Sequence, residues 1–140
     1  MVRRLSFNQV LTAQRRSGEL YEEAKVVSAK LHTREVGDVT VVDVSGRITL
    51  GEGSSAMRDT LRELVAAGKK KVLLNLSDVT YIDSSGIGEL VSGFTTVANA
   101  GGTLKLLGLT KRVKDLLQIT KLYTVFDVHE EEAHAVRSFV

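Results

Sequence analysis

From Leu31 onward, apolar and polar residues follow two rhythms in turn, one of strands and one of helices. "VTVVDV" (39–44) is short and valine-rich, the composition of a strand, and "RITL" continues it extended after Gly46. Only Gly37 and Asp38 separate this segment from the extended one that begins at Leu31, so the two are expected to pair as a hairpin. "GEGSS" then breaks the chain and offers Ser54 or Ser55 as a helix N-cap. Met57, Leu61, Leu64 and Val65 recur at helical spacing, with Arg58, Asp59, Arg62 and Glu63 between them. Gly68 supplies the stop. "KVLLNL" (71–76) is almost continuously apolar, as expected of a strand covered on both faces.

The second half repeats the alternation. A helix is expected from near Ser84, with Ile87, Leu90, Val91, Phe94 and Val97 on its apolar face and Gly101 and Gly102 at its end. "TLKLLGL" (103–109) reads as a strand, and Thr110 can cap a short helix containing Val113, Leu116 and Leu117. "TVFDV" (124–128) reads as a last strand and "EEEAHAVRSFV" as a terminal helix with Glu130 to Glu132 in its first turn. Strands alternating with helices imply βαβ units, and the hairpin makes the sheet mixed. Residues 1–30 have only weak helical periodicity and are expected to form an extension, a loosely attached helix or a disordered arm, before one domain over 31–140.

Charge and composition narrow the function classes. The net charge of +2 is uneven: residues 1–35 hold seven Lys/Arg and four Asp/Glu, and the remainder twelve and thirteen. The body thus carries no charge excess of the kind that nucleic-acid binding needs. Lys69 to Lys71 read as a solvated turn before a strand. The chain has no cysteine, which removes disulfides, thiolate metal sites and cysteine nucleophiles and suits a reducing, cytoplasmic setting. No apolar run approaches the roughly 20 residues of a membrane span, and the basic N-terminal residues lack the apolar stretch of a secretory signal.

Catalytic and metal motifs are not expected. In "HEEEAH" (129–134) the two histidines stand five apart, whereas chelation from one helix face needs a spacing of four. "GIGELVSG" misplaces the third glycine of a dinucleotide fingerprint, and no Walker A loop or nucleophile elbow occurs. His32, His129 and His134 are the available histidine bases, and nothing places one beside Ser84 or Ser85.

"VTYIDSSGIGEL" (79–90) carries the chemistry. It lies where a parallel strand passes into a helix, at the strand edge where binding sites gather. Ser84 or Ser85 is expected to cap the helix, with Asp83 supporting the turn. Gly86 and Gly88 leave the first turn bare, although Gly costs about 1 kcal/mol in a helix relative to Ala. A phosphate on a helix-start serine meets free N–H groups and the helix dipole, so the fold tolerates it.

"DVTYIDSSGIGEL", preceded by "GKKKVLLNLS" and followed by "GGTLKLLGL", closely resembles the anti-sigma factor antagonist (STAS domain) family over about residues 31–139. The resemblance implies an α/β fold, a STAS-type single domain with a mixed sheet and about four helices. It implies a protein without catalytic machinery or metal, acting by partner switching. The phosphoacceptor would be Ser84, within a switch loop and helix start of Asp83, Ser85, Gly86, Ile87 and Gly88. The partners would be an anti-sigma serine kinase, which binds the ATP and releases a sigma factor when the unphosphorylated antagonist engages it, and a PP2C-type phosphatase. A stressosome-type scaffold or a transport-accessory protein is the alternative. One departure stands in "GRITLGEG", where Thr49 occupies a position that is often aspartate in relatives. Thr49 and Glu52 are candidates for a second loop of the partner interface.

Overall fold

A computed structural model describes residues 29–140. The expected extension over 1–30 therefore falls almost wholly outside the described residues. Strand β1 (Lys30–Val36) turns through Gly37 and Asp38 into β2 (Val39–Ile48), its antiparallel neighbour. Gly37 has φ +63°, a conformation that two-residue hairpin turns use and glycine reaches without strain. Strands β3 (Lys71–Ile82), β4 (Thr103–Leu107) and β5 (Val128–His129) then add in parallel, giving one mixed sheet ordered β1-β2-β3-β4-β5. The hairpin and the parallel units are as the sequence predicts.

Four helices are described: α1 (Glu52–Ala66), α2 (Ser84–Asn99), α3 (Lys111–Ile119) and α4 (Glu132–Ser138). The first three cover one face of the sheet, where Val42, Val44, Leu74 and Leu76 meet Met57, Leu61, Leu90, Val97, Val113 and Leu117. Among the described residues, α4 alone covers the other face, seating Ala135 and the nearby Phe139 on Val39, Val41, Leu73 and Leu107. The rest of that face is polar. Arg34 donates to Asp43 and to Glu132, and Asn75 donates to Asp43. β3 is therefore apolar on both faces at its start but not throughout.

Four expectations change. First, α1 is not capped by Ser54 or Ser55. Its N-cap is Gly51, at φ +102°, a backbone setting that disfavours serine. Ser54 lies buried inside the first turn, its hydroxyl donating to the Thr49 carbonyl at 2.9 Å. Second, β3 continues six residues past Leu76, because pairing with β2 persists to Ile48↔Ile82 across two register shifts. Thr80 fills one shift by donating its hydroxyl to the Gly46 carbonyl. Third, β5 is two residues long and 124–127 lie outside it. Phe126 leaves the strand pattern to meet Phe94 edge-on, with ring centroids 5.6 Å apart. Fourth, Glu131 is the N-cap of α4, so Glu130 precedes the helix.

The lysine run is only in part the solvated turn expected: Lys69 and Lys70 lie between α1 and β3, Lys71 opens β3, and all three have partners. Lys69 pairs with Glu35, Lys71 pairs with Asp38, and Lys70 donates to the Ala100 carbonyl.

Candidate functional site

The site is assembled where β3 ends. Asp83 is the last extended residue, at φ −114° and ψ −172°, and it is the N-cap of α2. One carboxylate oxygen accepts the Gly86 N–H at 3.0 Å. The other accepts the Leu50 N–H at 3.4 Å, and the Asp83 N–H itself donates to the Ile48 carbonyl at 3.4 Å. Asp83 thus joins the loop after β2 to the start of α2.

This corrects the expectation that a serine caps the helix. A capping side chain must leave an extended backbone and reach the third N–H of the helix. Asp83 has that backbone, while Ser84 and Ser85 already lie in the first helical turn. Ser84 is exposed and Ser85 half-buried. Neither hydroxyl makes a hydrogen bond among the described residues. The cap is taken by a carboxylate, which leaves both hydroxyls available, and the Ser84 hydroxyl lies on the surface.

The glycine pair has two separate reasons. Gly86 is buried, and a Cβ there would collide with the Ile48 carbonyl oxygen. Its absence of a side chain lets α2 start against β2, so it is a packing residue. Gly88 is exposed, and a Cβ there would meet nothing within 4 Å. Nothing inside the fold requires glycine at 88. Ile87 between them is 4% exposed and belongs to the core.

Around Ser84 the surface is mixed. Leu50, in the loop after β2, is 81% exposed, more than any other large hydrophobic among the described residues except the last, Val140. Thr49 is half-buried and uses its carbonyl to accept the Ser54 N–H and hydroxyl. Glu52 is exposed in the first turn of α1. Gly88 stands one helical turn beyond Ser84 on the same side of α2. The two loops named from the sequence are therefore adjacent, Asp83 being the connection. Leu50 was not legible as a site residue, because a lone leucine in a glycine-flanked loop reads like any short apolar end.

The histidines lie elsewhere. His32, on β1, sits 3.9 Å from Asp43, and His134, on α4, sits 3.6 Å from Glu131. His129 places the same nitrogen, Nε2, 3.1 Å from Asp127 and 3.5 Å from the Ser138 hydroxyl. A serine–histidine–carboxylate relay needs the two partners on opposite ring nitrogens, so this trio is not one. Among the described residues no group of three or more His, Asp or Glu is arranged to hold a metal ion. No described helix is long and apolar enough to cross a membrane.

Comparison with known proteins gives a consistent picture. Residues 30–135 match the model of the STAS domain. The chain is 32% identical over 96 residues to the anti-sigma-B factor antagonist of Bacillus subtilis, covering 69% of this chain and 86% of that protein. In structure it is similar to an anti-sigma factor antagonist from Mycobacterium paratuberculosis, at TM-score 0.71 and 20% identity over 80% of this chain and 94% of that one. It is also similar to the Bacillus cell fate determinant SpoIIAA in its phosphorylated form, at TM-score 0.62 and 16% identity, over 77% and 97% of the two chains.

Proposed function

The chain belongs to the STAS domain family, and from that premise we propose that it is an anti-sigma factor antagonist whose binding is switched by phosphorylation of Ser84. One observation carries the reading. Ser84 opens α2 with an exposed hydroxyl, because Asp83 has taken the capping role. A kinase can reach such a hydroxyl without disturbing the fold. The product phosphate would stand at the positive end of the helix dipole, near N–H groups that have no acceptor inside the helix. The domain keeps its shape and its docking surface gains up to two negative charges.

In this reading the unphosphorylated protein docks on an anti-sigma factor serine kinase through Ser84, Gly88 and the loop that carries Leu50 and Thr49. The kinase supplies the ATP, and a PP2C-type phosphatase removes the phosphate. The protein itself acts by binding and catalyses nothing. That a solved relative, SpoIIAA, exists in both phosphorylated and unphosphorylated forms supports a reversible switch.

The test is to recover the protein from its native cells and map phosphate by mass spectrometry. Phosphate on Ser84, lost in Ser84→Ala, is the expected result. Phosphate confined to Thr49 or to Ser85 would overturn the assignment.

A further inference from the structure

The carboxyl edge of the sheet holds a second feature beside Ser84. The Arg47 guanidinium carbon lies 4.4 Å from the centroid of the Tyr81 ring, and that of Arg112 lies 4.0 Å from the same centroid. The three come from different elements. Arg47 is the penultimate residue of β2, Tyr81 is its register partner near the end of β3, and Arg112 is in the first turn of α3.

The arrangement is electrostatically incomplete. Two like charges share one ring. Arg112 also stands at the N-terminus of a helix, the end where a cation is disfavoured. Its neighbour Lys111 is matched by Asp115 at 2.8 Å. Most other basic groups on strands and helices are matched too: Arg34 by Asp43 and Glu132, Arg58 by Glu89, Lys105 by Asp127. Arg47 and Arg112 have no carboxylate partner among the described residues. The ring contacts both guanidinium groups without using their N–H donors, which meet no acceptor among the described residues. An unmatched pair of planar forks suits carboxylates, which each fork can take with two hydrogen bonds.

We propose that Arg47 and Arg112, held on Tyr81, form a carboxylate-recognition site for an acidic segment of the protein that docks on the Ser84 surface. The identity of that partner rests on the function proposed above; the anion binding does not. Tyr81 precedes Ser84 by three residues, at most about 11 Å of chain. A partner loop that covers Ser84 can therefore reach both arginines. A charge placed on Ser84 then faces the same partner segment as the arginine pair, and salt, which screens exposed charges over about 10 Å at 0.1 M, should weaken its effect. Phosphorylation would weaken docking twice, by burdening the Ser84 contact and by offering the arginines a competing anion.

The experiment titrates the isolated protein with a hexaglutamate peptide at low salt, following the arginine Nε–H and backbone N–H signals by NMR. Saturable shifts at Arg47, Arg112 and Tyr81 are expected, fading as salt rises. Arg47→Gln and Arg112→Gln should each weaken peptide binding by about fivefold, the scale of one partly exposed ion pair, with the rest of the spectrum unchanged. Ser84→Asp should weaken it as well. Shifts centred on Lys69 to Lys71, or an affinity untouched by both glutamine variants, would overturn the site. An affinity untouched by Ser84→Asp would separate it from the Ser84 surface and overturn its role in docking. Neither result depends on whether Ser84 is phosphorylated in cells, so failure here and failure of the phosphoacceptor assignment are distinguishable.

Discussion

The Asp83 carboxylate accepts the backbone N–H of Leu50 at 3.4 Å through one oxygen while its other oxygen caps α2 at Gly86. One side chain therefore sets both the start of the helix and the position of the exposed loop. Asp83→Ala should cost about 1–2 kcal/mol, the range for a lost cap. Asp83→Asn should cost less, because its single amide oxygen can still cap. It should nevertheless release Leu50, seen as faster hydrogen exchange at that N–H in both variants. Unchanged exchange at Leu50 would show that the bond from the Asp83 N–H to Ile48 holds the loop by itself.

Gly86 and Gly88 should respond to alanine in opposite directions. Gly86→Ala drives a methyl into the Ile48 carbonyl and should destabilise by about 1–3 kcal/mol, as overpacking does. Gly88→Ala meets open space and should stabilise by up to about 1 kcal/mol through helix propensity. If Gly88 is kept bare for a partner, the stabilised variant should also bind that partner more weakly. Denaturant midpoints check the first pair of signs, and loss of stability in Gly88→Ala would refute the open-space argument.

Ser84 variants should separate folding from binding. Ser84→Ala should change stability by less than about 0.5 kcal/mol, since its hydroxyl bonds nothing among the described residues. Ser84→Asp should fold as well as wild type, helped by the helix dipole by about 0.3–1 kcal/mol. It should bind the proposed kinase partner about tenfold or more weakly, because a buried or opposed charge in an interface costs that much. Equal affinity of the aspartate variant and wild type for the kinase, measured by calorimetry, would sink the switch.

Phe94 tests the packing behind the site. The residue is half-buried, and its ring meets Phe126 at 83° between planes. Phe94→Ala should therefore cost about 2–3 kcal/mol, below the range for a fully buried phenylalanine, with about 1 kcal/mol belonging to the ring pair. A double-mutant cycle with Phe126→Leu measures that share. Additive losses would mean that the rings contribute no coupling.

Acid should release α4 before the rest of the domain. Hydrogen bonds from Arg34 hold the Glu132 carboxyl below its usual range, and those from Arg34, then Asn75, do the same for Asp43. A carboxylate depressed in the folded state adds stability above its unfolded pKa, near 4. That contribution is lost as pH falls through the lower folded value. Protection of the Ala135 N–H, measured against its intrinsic exchange rate at each pH, should thus fall below about pH 4. Arg34→Gln should cost about 1–2 kcal/mol at neutral pH, a modest figure because the groups are partly solvated. Its stability should also depend less on pH in the acid range, and an equally steep dependence would place the acid response elsewhere.

The local rules were readable from the chain itself. Strand and helix order, the Gly37–Asp38 hairpin, the Thr110 cap of α3 and the turn that carries Ser84 all follow from patterns a few residues long, and side-chain periodicity and turn chemistry act at that range. Other features needed the whole fold. Asp83, Ser84 and Ser85 are all good capping residues by type, and only the seat of α2 against Ile48 decides that Asp83 has the extended backbone for it. Gly86 and Gly88 look alike in sequence, yet one faces a backbone carbonyl and the other open solvent. Phe126 reads as a strand residue until Phe94, far away in the chain, takes its ring. Arg47 and Arg112 lie 65 positions apart and share a tyrosine because β2, β3 and the start of α3 converge at one sheet edge. Spacing along the chain determines which elements form. Which side chains of different elements come to touch depends on how the sheet and helices pack, and that is where the site is decided.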